Sequence, residues 1–187
     1  MTASLKRHYT LEEYLELEQG ASEANEFVDG WLFPRSGISI QHNMIAGNIL
    51  NLLREATEGS KRVVYVSQFR IRIPGDPPAV YYPDLIVAEK SAESNPTFIT
   101  EPSLIVEITS RRTEYTDLRE KRINYGKIES LETYLIVHQH ARHVEVCRRS
   151  RGGSWSTQMH DDGEIRLEQP AAKLRLEQIY ENIDFQV

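Results

Sequence analysis

Two apolar runs in this chain each carry a single acid: Tyr81-Tyr82-Pro83-Asp84-Leu85-Ile86-Val87-Ala88 and Leu104-Ile105-Val106-Glu107-Ile108-Thr109. Runs of Leu, Ile and Val this continuous predict strands buried on both faces. An unpaired carboxylate in such a place costs several kcal/mol or is neutralised by protonation. Asp84 and Glu107 therefore require partners, and a divalent cation shared between them is one, because it brings positive charge and takes hard oxygen ligands.

With 187 residues the chain fits a single domain, residues 1–187, large enough to bury a core without cross-links. Cys147 is the only cysteine, so no intramolecular disulfide can form and a reducing, cytoplasmic setting is expected. No charged-then-apolar leader opens the sequence, and no apolar stretch nears the roughly 20 residues that span a bilayer, so no membrane partner is expected. The net charge of −6 argues against a passive nucleic-acid coat that binds through bulk positive charge. A nuclease stays open, because a metal site concentrates carboxylates while clusters such as Arg70 with Arg72 and Arg119 to Arg122 remain for phosphate. Taken singly, such clusters are ordinary solvated surface.

Thr10 and Glu13 form a capping-box pattern ahead of a short amphipathic helix. Asp29-Gly30 between two apolar runs predicts a two-residue hairpin turn, and Ser39 begins a longer helix that Gly59 ends. An alternating, β-branched stretch runs from Val63 to Ile73, and the prolines from Pro74 to Pro78 mark a loop. The two acid-bearing strands follow, joined by a polar connection through Ser94, Asn95 and Pro96. Thr116 caps a helix to about Lys127, strands follow near Glu132 to Val137 and Val144 to Arg148, and a small strand surrounds Trp155. Leu174 to Ile183 reads as a short closing helix. The fold class expected is α/β: a central mixed β-sheet flanked by helices, with a core order of helix, three strands, helix, strand.

Helical projection at about 100° per residue places Lys121 on the apolar side with Leu118, Tyr125 and Ile128. A lysine so placed either snorkels to water or brings its ammonium to the two acids, where it would steady a phosphate and an attacking water. Two acids followed by such a lysine are the layout of a metal-dependent phosphodiesterase. Asp117 and Lys121 are also spaced for an ordinary helical ion pair. His42 heads the stripe Ile45, Ile49, Leu52, Leu53 and Ala56 and should face the core, where a lone histidine is most often just a satisfied hydrogen-bonder. Glu26, on the strand before that helix, would reach the same pocket if strand and helix pack together. His138, His140 and His143 are candidate zinc ligands, but they straddle the expected turn of a hairpin, which argues against a site there.

An ordered set of motifs resembles the Uma family of restriction-endonuclease-like proteins, within the PD-(D/E)XK nuclease superfamily. It comprises Tyr9-Thr10-Leu11-Glu12-Glu13-Tyr14, Glu26-Phe27-Val28-Asp29-Gly30, His42 with Ala46-Gly47-Asn48, Tyr82-Pro83-Asp84, Leu104 through Glu107 to Ser110, Asp117, Lys121, Tyr125, and Glu132 to Val137. The resemblance implies a restriction-endonuclease-like core in αβββαβ order, with an added N-terminal helix and hairpin and added C-terminal strands. It implies Asp84 and Glu107 as ligands of Mg2+, or Mn2+, with the Ile108 carbonyl completing the shell, Lys121 as the catalytic lysine, and Glu26 and His42 as supporting residues. The superfamily's usual lysine position, two after the second acid, is Thr109 here, and Lys121 on the following helix takes its place. Two departures stand near the site: Arg111 follows Ser110 where the family often has proline, and His138 stands where it often has an acid.

The function expected is Mg2+-dependent endonucleolytic hydrolysis of nucleic-acid phosphodiesters, DNA before RNA, with nucleic acid as partner and a homodimer compatible. One alternative is a non-catalytic module that keeps the nuclease fold for nucleic-acid or protein binding, against which the intact charge set speaks. Another is a glycosidase pair of carboxylates.

Overall fold

Turn chemistry sets the first third of the chain. The computed structural model describes residues 8–35, 37–90, 98–110 and 116–185, with the Asp117 side chain excepted. The expected Ser94-Asn95-Pro96 connection, Arg111 and the Asp117 ion pair lie outside that description. Thr10 and Glu13 close a reciprocal capping box on α1 (Leu11–Gln19). Asp29 and Gly30, with φ of 47° and 79°, make the left-handed two-residue turn between β1 (Asn25–Val28) and β2 (Trp31–Pro34). The Ser39 hydroxyl accepts the His42 N–H and starts α2 (Ile40–Thr57), after which Gly59 turns the chain at φ 70°.

The alternating stretch from Val63 to Ile73 is two strands rather than one. β3 (Arg62–Val66) and β4 (Arg70–Ile73) enter different sheets, separated at Gln68, whose φ is 92°. The run around Asp84 divides in the same way, into β5 (Ala79–Tyr81) and β6 (Leu85–Glu89). Pro83 has no N–H to extend a ladder, so the chain leaves one sheet after Tyr81 and enters the other at Leu85. Asp84 therefore sits at the crossing between sheets, not within a strand.

β7 (Phe98–Ile99) and β8 (Pro102–Thr109) follow, and then a π-helical segment, Thr116–Lys121, runs into the single turn of α3 (Arg122–Tyr125). This corrects the helix expected to reach Lys127. Gly126 closes the turn through its N–H to the Arg122 carbonyl, and Ile128 is buried beyond the helix. β9 (Thr133–His138), β10 (Val144–Arg149) and β11 (Trp155–His160) form an antiparallel meander. A hairpin absent from the sequence reading, β12 (Glu164–Leu167) and β13 (Ala172–Arg175), takes Leu174 and Arg175 from the expected closing helix and leaves α4 as Leu176–Ile179.

The central sheet has the order β11-β10-β9-β8-β6-β3, mixed because β8 and β9 run parallel while the other pairs are antiparallel. Its core order of α2, β3, β6, β8, π-helix with α3, then β9 is the αβββαβ arrangement expected. Side chains alternate along β8. Leu104, Val106 and Ile108 meet Ile45, Ile49 and Leu53 of α2 on one face, whereas Ile105 packs with Ile71, Tyr81, Tyr125 and Ile136 on the other. Glu107 shares the parity of Ile105, so it points into the layer between the central sheet and the second sheet, β2-β1-β5-β4-β7. That layer opens at the site.

Candidate active site

Five parts of the chain deliver the five expected side chains to a single cavity of about 380 Å3: Glu26 from β1, His42 from α2, Asp84 from the sheet crossing, Glu107 from β8 and Lys121 from the π-helical segment. Asp84 and Glu107 are 6% and 5% exposed and Lys121 is 6% exposed, so these charges interact away from bulk water.

The Lys121 ammonium lies 2.9 Å from Glu26 Oε1 and 3.0 Å from Glu107 Oε1. It stands 5.5 Å from the centre of the Tyr81 ring, whose face adds a cation-π attraction. Glu107 Oε1 also accepts the Tyr125 hydroxyl at 2.6 Å. Burial first, and then the charge of Glu107, holds the Tyr125 phenol well above its usual range, so it stays protonated and donates. Tyr81 is pushed up in the same direction by burial and by its hydrogen bond to Glu120, and it accepts from Asn124 Nδ2 at 2.6 Å.

Asp84 is held from two sides. Its Oδ2 accepts the Ile108 N–H at 2.7 Å and its Oδ1 lies 3.1 Å from His42 Nε2. The first bond docks the sheet crossing onto β8 one residue beyond Glu107 and brings the Ile108 peptide beside both acids. Glu26 Oε1 accepts the Tyr82 N–H at 3.4 Å, which ties β1 to the same crossing. At the far wall Ser39 donates to Gln139 Oε1 at 2.8 Å, fixing the start of α2, and with it His42, against the end of β9.

The lining favours a cation. Among its described residues the carboxylates Glu26, Asp84, Glu107 and Glu120 meet two permanent cations, Lys121 and Arg35. Asp84 and Glu107 offer hard oxygens, which Mg2+ and Mn2+ accept, and Ile108 lines the same cavity. The acids and His42 do not draw three ligand atoms into one tight cluster; among the described residues that is done by His138, His143 and Glu145. A site built on one or two carboxylates with retained waters is what Mg2+ ordinarily uses.

All five residues singled out in the sequence as catalytic thus line one cavity. Sequence reasoning assigned no role in the site to Tyr81, Glu120 or Gln139, and took Ser39 only as a helix cap. Tyr125 was placed on the apolar side of the helix without its bond to Glu107. The only local signal for these residues was the polar cap of Ser39, because the contact to Gln139 joins positions 100 residues apart.

A sequence profile described as "putative restriction endonuclease", that of Uma2, matches residues 11–178. The chain belongs to the Uma2 family. Two proteins of Synechocystis sp., each described as an "uncharacterized protein", are similar to it. One is 30% identical over 83% of this chain and 89% of its own length, the other 26% identical over 77% and 76%. A crystal structure of a "putative nuclease belonging to DUF820" from Anabaena variabilis superposes with a TM-score of 0.76 at 17% identity, covering 91% of this chain and 97% of that one. The Uma2 fold thus extends over the sheets, helices and C-terminal hairpin described above. No described helix of this Uma2 chain is long and apolar enough to cross a membrane.

Proposed function

We propose that this Uma2 protein is a Mg2+-dependent nuclease that hydrolyses phosphodiester bonds of nucleic acid, with DNA as the favoured substrate. The observation that carries the reading is the buried Lys121 ammonium between Glu26 and Glu107, in the cavity that also holds Asp84. Asp84, Glu107 and the Ile108 carbonyl are the groups that would hold the cation. When bound, Mg2+ supplies Lewis-acid charge to the phosphate and lowers the pKa of a water. Lys121, aimed by its two carboxylates, stabilises the negative charge that grows on the phosphate oxygens and orients the attacking water. Tyr125 holds Glu107 in place from behind, and His42 does the same for Asp84. Arg35, in the cavity lining, offers a charge-assisted bond to a backbone phosphate.

The test is cleavage by the purified full chain of a panel of single- and double-stranded DNA and RNA, with Mg2+, Mn2+ or EDTA. Metal-dependent cleavage is expected, reduced at least about 100-fold in Lys121→Met, which keeps most of the stem volume and removes the charge. Nucleic-acid binding with no cleavage under any of these metals would turn the reading to a non-catalytic module. Wild-type rates in Lys121→Met would remove the lysine from the chemistry.

A further inference from the structure

Outside this cavity the hairpin β9–β10 gathers a second set of metal-ligating side chains. The register pairs Val144 with Val137 and Glu145 with Ile136, and the His138 N–H donates to the His143 carbonyl at 3.0 Å. His143 thus stands opposite His138, and Glu145 stands opposite Ile136, the residue two before it. Side chains two apart on a strand, and those directly opposite across an antiparallel pair, share a face. His138, His143 and Glu145 therefore emerge on the same side of the sheet.

One ligand atom from each of the three lies within 4.8 Å of the others. His138 Nε2 and Glu145 Oε1 are 3.7 Å apart, beyond hydrogen-bond length and close to the about 3.4 Å that separates two ligands of a tetrahedral ion with bonds of about 2.0–2.1 Å. The imidazole rings meet edge to face with centroids 4.8 Å apart. His143 Nδ1 lies 2.6 Å from Asp161 Oδ1, at the end of β11, the carboxylate contact that orients metal-bound histidines. Glu145 is 7% exposed, so its charge needs a local counterpart.

We propose that His138, His143 and Glu145 form a second metal site, selective for a borderline transition ion of the zinc class. Two imidazoles and one carboxylate suit Zn2+, whereas Mg2+ takes oxygen ligands, so the two sites differ in chemistry as well as position. Glu107 pairs with Ile136, and Ile136 with Glu145, so the second site lies two strands from Glu107 on the same sheet face, at about 10 Å by strand spacing. An ion there clamps β9 to β10 and to the end of β11. It also steadies Gln139, the next residue after His138, which receives the Ser39 bond at the start of α2.

Calorimetric titration of Zn2+ into the full chain in excess Mg2+, repeated with Co2+ to read its visible absorption, tests the site. One ion per chain is expected, with affinity lowered at least about tenfold by His143→Ala and by Glu145→Gln, and unchanged by Asp84→Asn. His143 is partly exposed at a turn, so circular dichroism should show its variant folded. No uptake in excess Mg2+, or equal affinity in folded His143→Ala, would overturn the proposal. So would uptake lost in Asp84→Asn and kept in His143→Ala, which would move the ion to the acidic cavity.

Discussion

Tyr125 shows how a single buried group couples the site to stability. Its phenol is held well above the usual 10.0, first by burial and then by Glu107, so the folded chain keeps a proton that the unfolded chain releases. A raised folded value contributes stability that is fully present below pH 10 and is lost as pH climbs past it, by about 1.4 kcal/mol per pH unit for one such group. Tyr125→Phe should lower the unfolding free energy at neutral pH by about 1–3 kcal/mol through the lost bond to Glu107. In urea titrations from pH 8 to 11 its deficit should then shrink, because the variant no longer carries this titration. A constant deficit across that range would mean that Tyr125 does not hold its proton. Lys121 was legible beforehand because an ammonium among Leu118, Tyr125 and Ile128 breaks an apolar pattern, and Glu107 was one of the two acids it was expected to meet. Its direct bond to Glu26 was not legible, since Glu26 arrives from the other sheet and only its pocket could be anticipated.

At the scale of elements, the start of α2 does most to place His42. Ser39 serves twice, its oxygen accepting the His42 N–H and its hydroxyl donating to Gln139 on the end of β9. Ser39→Ala should cost about 1 kcal/mol in denaturant unfolding and lower any cleavage rate beyond what that loss explains. Ser39→Thr, which keeps the hydroxyl, should restore the rate. Equal rates for alanine and threonine would reduce Ser39 to a plain helix cap. Elements with strong local chemistry were legible, among them the capping box, the Asp-Gly turn and the continuous apolar strand around Glu107. Those whose identity depends on a distant neighbour were not. The run from Val63 to Ile73 looks like one strand until Gln68 reverses the backbone. The four-residue β12 earns its place only beside β13, with Ile165 and Leu174 both buried on the core beneath α2. The histidines of the β9–β10 hairpin straddle its turn as the sequence indicated, but only the strand register puts Glu145 with them.

For the whole molecule the decisive fact is that two sheets meet at Asp84. Calorimetry of Mg2+ or Mn2+ with wild type and Asp84→Ala should show weak binding that the variant loses, and a phosphate-bearing oligonucleotide should tighten it in wild type, because Mg2+ keeps several waters and few protein ligands. Equal affinity in both proteins would take Asp84 out of the metal site. Glu26 belongs to the sheet that carries β1 and β5, Glu107 to the one that carries β6 and β8, and Asp84 to the stretch between them. During synthesis Glu26 leaves the ribosome first and Lys121 last of the five, and β9, the parallel neighbour of β8, later still. A nascent chain, a proteolytic fragment or a molecule with one sheet peeled away holds scattered charges and no centre. Under the proposed chemistry, hydrolytic power would switch on only in the finished fold, a safeguard for the messages and genome around an enzyme still being made.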